Sequence, residues 1–349
     1  MSAVSTTAGG ARAGAVDGLD AIMSRGGAQL QEIMQLTERH LEQVTAHAGA
    51  PLAAHAGATV FPGGKRLRPL LVVLAAQSAG GPADGPDGLE RLVRAAVAVE
   101  LVHSATLVHD DVIDGAALRR GQPTVAAAAG RKAAVATGDL LFSRAFAELA
   151  RNDDAAQLRA LSQASSALAE GELLQREDAF DARVSVERYL ERCELKTAAL
   201  FEAACRLGAL LAARRSDALA DALGAFARRI GLAFQMLDDV LDVSGPVERT
   251  GKARGTDLLD GTVTLPLILA RERDRELARF PLASLPGPDG PRHAEALCER
   301  IAATGALDEA RERALAVVAE AKAALPAILP GARAALLDLV ADAVVERYR

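Results

Sequence analysis

Two short acidic clusters carry the clearest chemistry in the chain. Asp110-Asp111-Val112-Ile113-Asp114 and Asp238-Asp239-Val240-Leu241-Asp242 share the pattern DDxxD. At 3.6 residues per turn, Asp110 and Asp114 fall on one helical face, as do Asp238 and Asp242, with a third carboxylate beside each pair. Hard oxygen donors in this arrangement suit Mg²⁺ that bridges to a substrate phosphate. Each copy closes a long apolar helical stretch, where the helix dipole disfavours anions and divalent cations would relieve the crowding. A like-charged i,i+4 pair costs only about a few tenths of a kcal/mol, so a solvated helix end accounts for one such cluster equally well. Two copies in the same setting favour metal and phosphate chemistry. Neither has the DxDxDG loop of an EF-hand.

Cations that answer these carboxylates are spread along the chain. Residues 61–69 read FPGGKRLRP, where paired glycines free the backbone beside Lys65, Arg66 and Arg68. Residues 118–124 read LRRGQPT and place Arg119 and Arg120 just past the first acidic cluster. Lys196-Thr197 interrupts an apolar helix, and Lys252 follows the second cluster. Guanidinium forks and ammonium points are what phosphate recognition needs. Any one of them alone reads as a solvated face, and the glycine-paired segment is the most specific. His103 lies seven residues before Asp110, about two turns, and shares its face. His109 reads as structural.

The elements that must position these groups are helices. Aromatic residues are 3% of the chain, with no Trp and two Tyr, against 50% apolar residues dominated by Ala, Leu and Val. That balance favours helix over sheet. Apolar residues recur at helical spacing over 28–48, 89–114, 133–150, 154–175, 186–213 and 219–243, and period-2 alternation is not sustained. Many segments are apolar nearly all round, as in the buried helices of a large bundle. The expected architecture is all-α: a tail over residues 1–20, rich in small residues, and one domain over 21–349 with more helices than a four-helix bundle. Cys193, Cys205 and Cys298 are too few and scattered for a disulfide framework, which points to a reducing compartment and a cytoplasmic location. No signal peptide opens the chain, and no purely apolar run approaches the ~20 residues of a membrane span. Lys and Arg number 40 against 46 Asp and Glu, a net charge of −6 that gives no general attraction for nucleic acid.

From Gly63 to about Pro266 the sequence resembles the trans-isoprenyl diphosphate synthases, the polyprenyl synthetase family. The motifs run in family order: GGKRLRP, HSATLVHDDVIDGAALRRGQPT, Gly138-Asp139, KTAALF, FQMLDDVLD and GKARGTDL…TLP. The resemblance implies a single large helical bundle of the isoprenoid synthase type with a central active-site cavity, assembled as a homodimer. It implies Mg²⁺, three ions per site with Mn²⁺ as a substitute, ligated by Asp110, Asp114 and Asp238. Asp111, Asp239 and Asp242 would be nearby carboxylates. Arg119, Lys196 and Lys252 would grip the diphosphate of an allylic substrate, with Phe234 and Gln235 as pocket residues and Thr197 stabilising the cation. Lys65, Arg68, His103 and Arg120 match the isopentenyl diphosphate site. The implied reaction is ionisation of the allylic diphosphate, attack of the isopentenyl double bond on the carbocation, and proton loss to the released diphosphate, with electrostatic preorganisation lowering the barrier.

Product length is read from the helix face below Asp110. Thr106 lies ~6 Å and Val102 ~12 Å down that face, followed by Val99, with Ala105 adjacent. Short-chain members of the family block this region with aromatics. The small Ala105 and Thr106 therefore predict an all-trans product longer than C20, an apolar molecule suited to passage into a membrane. Phe142 and Phe146, on another helix, are candidates for an earlier stop, which would give a geranylgeranyl or farnesyl diphosphate synthase. Three positions depart from the family: Thr262 where a second Lys is usual, Gln175 where some members carry an acid that Glu172 would replace, and VAAAAG after Pro123 without the usual aromatic. A class I terpene cyclase has no need of GGKRLRP and lacks a second DDxxD. A non-catalytic partner subunit tends to lose the acidic motifs, and a helical scaffold explains neither them nor the cations.

Overall fold

The structure is a computed structural model that describes residues 10–46, 50–60, 64–83, 85, 87–119, 121–245, 254–329 and 331–346. Its first half holds α1 (Gly10–Ala46, kinked at Gly27), α2 (Ala50–Val60), α3 (Leu67–Ser78) and α4 (Gly88–Ile113). A two-residue hairpin, Leu118–Arg119 against Gln122–Pro123, leads to α5 (Val125–Ala129), α6 (Arg131–Ala150) and α7 (Ala155–Glu177). Next come α8 (Val186–Cys193), a π-helical turn at Glu194–Ala198, α9 (Ala199–Leu210) and α10 (Asp217–Ser244). The chain ends in α11 (Thr256–Leu259), α12 (Leu265–Arg273), α13 (Arg275–Arg279), α14 (Gly290–Ala303), α15 (Ala306–Ile328) and α16 (Ala335–Glu346). The protein is thus all-α, and each apolar-periodic stretch of the sequence is largely helical.

Sequence chemistry sets the helix starts. Thr124, Asp154, Ser185 and Ser216 are N-caps whose side chains accept backbone N–H bonds from Ala127, Ala156, Arg188 and Leu219. The helices bury one continuous core of Ala, Leu and Val in which α3, α4, α9 and α10 supply many of the fully buried residues. α4 and α6 pack antiparallel. Asn152 Nδ2, past the end of α6, donates to Arg91 O near the start of α4 at 2.9 Å, while His109 near the end of α4 stacks on Phe142 of α6.

Three sequence expectations are adjusted. α1 reaches back to Gly10, inside the stretch expected to be tail, because its alanines favour helix despite the interspersed glycines. The segment 186–213 is not one helix: the backbone shifts to π-helical pairing at Glu194–Ala198, around Lys196-Thr197. α4 is long and apolar enough to cross a membrane when its hydropathy is averaged, although no uninterrupted apolar run is. It is a core helix here, with 78% of that apolar window buried.

Candidate active site

The first acidic motif occupies the last turn of α4. Asp110 is pushed up to about 6, mainly by burial; Lys196 and Arg119 oppose the shift, while Glu172 and Asp114 add to it. Asp111 is buried and held by Arg119, whose Nε donates to Asp111 Oδ1 at 2.8 Å. Asp114 follows the helix, its N–H donating to Asp110 O at 2.8 Å, and its carboxylate accepts from Arg176 Nη2. Asp110 therefore faces Lys196 and Glu172 while its neighbours are tied by arginines.

Lys196 and Thr197 sit in the π-helical turn between α8 and α9, a local widening frequent at functional sites. Two glycines admit that turn between its neighbours. A Cβ added to Gly171 of α7 would lie 2.5 Å from Lys196 N, and one added to Gly231 of α10 would lie 2.8 Å from Ala198 Cα. Lys196 Nζ donates to Glu172 Oε2 and, at 3.1 Å, to Gln175 Oε1. Glu172 and Gln175 thus act together on the lysine at the position where some family members carry an acid.

Thr197 looks the other way, to the second motif. Its hydroxyl donates to Gln235 Oε1 at 2.7 Å, and Gln235 Nε2 donates to Asp239 Oδ1 at 2.7 Å. The other oxygen of Asp239 accepts from Tyr189 OH at 2.6 Å. Both Asp239 oxygens are engaged inside the protein. Burial and the nearby Asp257 charge push this carboxyl above the ordinary range, against the pull of the Tyr189 and Gln235 bonds. Asp238 and Asp242 are half-buried on α10. Asp242 accepts the Asp257 N–H at 3.2 Å, and its carbonyl accepts the Gly255 N–H at 3.0 Å, which folds the GTDL segment back onto the motif.

The cations of the GGKRLRP segment divide into two roles. Arg66 is structural: Nε bonds Glu38 Oε1 at 2.6 Å and Nη1 bonds Glu100 Oε1 at 2.8 Å, with its backbone in the left-handed region at φ 48°. Glu100 lies three residues before His103 on α4, so this pair fixes the start of α3 beside His103. Lys65 is exposed just before α3, and Arg68 in its first turn stands over the Phe201 ring at 4.9 Å. Phe201 in turn packs against Phe234 at 5.6 Å between centroids. Arg120 and Lys252 lie outside the described residues. His109 packs α4 onto α6, with Nε2 3.4 Å from Asp139 Oδ1, in space that Gly138 leaves open. Thr262 is buried, its N–H donating to Asp257 O at 2.8 Å.

Below the first motif, Thr106 is half-buried and its hydroxyl donates to His103 O at 2.8 Å, whereas Ala105, Val102 and Val99 are fully enclosed. The side chains expected to line an open wall are sealed by packing below Thr106. Phe142 is committed to His109, and the antiparallel register puts Phe146 one turn further along α6.

Among the described residues, no group of three acidic, His or Cys side chains forms a preformed metal cage. The donor set still fits Mg²⁺, which commonly takes one or two carboxylates and completes its shell with phosphate oxygens and water. The Asp110 carboxylate, held above its ordinary range mainly by desolvation even with Lys196 and Arg119 nearby, is a group that further positive charge would stabilise.

This geometry has known counterparts. The sequence matches the polyprenyl synthetase family over residues 50–295. The chain belongs to that family. It is a prenyltransferase, similar to the geranylgeranyl diphosphate synthase of Methanosarcina mazei, with 38% identity over 82% of this chain and 86% of the relative. It is also similar to the octaprenyl diphosphate synthase of Escherichia coli (strain K12), with 37% identity over 82% and 87%. Among solved structures, the polyprenyl synthase from Caulobacter crescentus CB15 complexed with calcium and isoprenyl diphosphate superposes with a TM-score of 0.84 at 35% identity, covering 99% and 100% of the two chains.

Sequence reasoning missed several residues of this candidate site in the polyprenyl synthetase. Tyr189 and Asp257 bear directly on Asp239, and Arg176 reaches Asp114. Tyr189 lies 50 residues from its partner and Arg176 lies 62 residues from Asp114, so no local spacing signals either contact. Asp257 stood within the recognised GTDL segment, which was the available clue.

Proposed function

We propose that this polyprenyl synthetase condenses isopentenyl diphosphate with an allylic diphosphate, head to tail (1′–4), in a Mg²⁺-dependent reaction that yields an all-trans polyprenyl diphosphate longer than C20. The observation that carries the reading is the Lys196-Thr197 turn, one residue directed at the first acidic motif and the next at the second. Asp110 and Asp114 on α4 and Asp238 on α10 would hold the metal, and when bound it supplies positive charge to the departing diphosphate. Lys196 and Arg119 add fixed cations to the same anion, with Lys252 assigned from the family motif. Thr197 and Gln235 hold Asp239 away from the substrate in one orientation. Lys65, Arg68 and His103, with Arg120, bind isopentenyl diphosphate through direct charge without metal. Phe234, packed on Phe201 beneath Arg68, forms an apolar floor that keeps water from the allylic cation. Homodimeric assembly belongs to the same reading.

The absence of aromatics at Ala105 and Thr106 supports the long product. The enclosure of Val102 and Val99 favours a second reading, a product that stops at C20. Incubating the purified protein with isopentenyl diphosphate, farnesyl diphosphate and Mg²⁺, followed by mass spectrometry, decides between them. Products of C25 or longer are expected; a C20 stop supports the second reading, and no condensation with any allylic starter overturns both.

A further inference from the structure

Arg176 belongs to no motif recognised in the sequence, yet it reaches the first acidic motif. It lies in the last turn of α7, where the helix dipole favours a cation. Its Nη2 donates to Asp114 Oδ1, and its Nε donates to Glu172 Oε1 at 3.2 Å. The other Glu172 oxygen takes the Lys196 ammonium, so a continuous chain of charges runs Asp114–Arg176–Glu172–Lys196. The Arg176 side chain is 37% exposed and that of Asp114 is 27% exposed, so this pair can part without disturbing the core.

A divalent cation that takes Asp114 competes for the oxygen Arg176 now holds, because Mg²⁺ requires close, well-directed oxygen contacts. The displaced guanidinium carries five N–H donors and no acceptor, and it would be left beside the site with one anionic partner removed. A diphosphate bound beside the same motif would offer a matching set of oxygens. We propose that Arg176 is an exchangeable counterion: it holds Asp114 while the site is empty, and transfers to the diphosphate when a divalent cation takes that carboxylate. The exchange couples the two ligands. Metal binding frees a cation for diphosphate, and diphosphate binding removes a competitor for metal, by the same factor in each direction. This inference rests on the reading of the acidic motifs as a metal and diphosphate site.

Titration calorimetry on the full chain, with Mg²⁺ alone and then with inorganic diphosphate at saturating Mg²⁺, tests the exchange. In Arg176→Gln, Mg²⁺ alone should bind about threefold to tenfold tighter, because the competing charge is gone, while diphosphate should bind about tenfold weaker. Arg176→Lys should keep part of the diphosphate affinity as a point charge without the fork. Opposite changes for the two ligands would not follow from a merely structural role. If the wild type binds both ligands but Arg176→Gln changes neither, or shifts both the same way, the exchange is wrong and the site stands. If the wild type binds neither, the site reading fails and the exchange with it.

Discussion

The backbone of Lys196 rests against Gly171 so closely that a Cβ on the glycine would fall 2.5 Å from Lys196 N and 2.9 Å from its Cα. The π-helical turn that carries Lys196 and Thr197 is therefore set by how nearly α7 can approach it. Gly171→Ala must push the turn away from α7 and move Lys196 off Glu172 and Gln175. Overpacking of this kind costs about 1–3 kcal/mol. The fold should survive, and kcat/KM should fall by at least about tenfold, as sub-ångström displacement of a positioning group is costly. Urea unfolding beside steady-state kinetics checks both; a variant with wild-type kinetics would show that the turn tolerates displacement.

Tyr189→Phe tests the support of the second acidic motif. It removes the hydroxyl that donates to Asp239 Oδ2 at 2.6 Å inside the core. A buried acceptor left without its donor costs about 1–3 kcal/mol in stability. Asp239 would keep only the Gln235 bond, so we expect a lower kcat with little change in the KM for isopentenyl diphosphate, whose proposed ligands Lys65 and Arg68 stand at the start of α3. Equal stability and kinetics in wild type and variant would mean that Asp239 is held by other groups.

Product length should respond to Thr106, the half-buried residue one turn below Asp110. Thr106→Phe places an aromatic on the face proposed for the growing chain, about 6 Å from the motif, and should shorten the product without abolishing condensation. Phe146→Ala should leave it unchanged or lengthen it. Mass spectrometry of the products reads both; a Thr106→Phe enzyme with the wild-type distribution would place the growing chain along a different face.

Asp154 offers a pH test separate from catalysis. Burial opposes its charge, but Arg215, the Ala156 N–H and Gln157 outweigh that and hold the carboxyl below its ordinary value. The folded carboxyl thus titrates below the unfolded one, so its stabilisation is present above about pH 5 and is lost as pH falls through the depressed value. Asp154→Ala removes an N-cap and two ion pairs and should cost about 2 kcal/mol at pH 7. In thermal unfolding from pH 7 to 3, the gap from wild type should hold steady to about pH 5 and narrow below about pH 4. A gap that widens on acidification would contradict this assignment.

Much of the molecule was legible in one dimension. Helical class followed from the Ala/Leu/Val periodicity, because a buried helix repeats its apolar positions every 3.6 residues. The DDxxD clusters, Lys196-Thr197 and the GGKRLRP segment were visible because ligands that act a turn apart must be a few residues apart in sequence. Tertiary structure alone decided which of these groups are available. It buried Asp239 and occupied both its oxygens, tied Asp111 to Arg119, spent Arg66 on Glu38 and Glu100, and closed Val99 and Val102 against neighbouring helices. It also brought Arg176 to Asp114 from 62 residues away. Local periodicity fixes the face on which a side chain emerges, whereas its charge partner and its exposure depend on which helix packs against that face. That choice is made by the whole core.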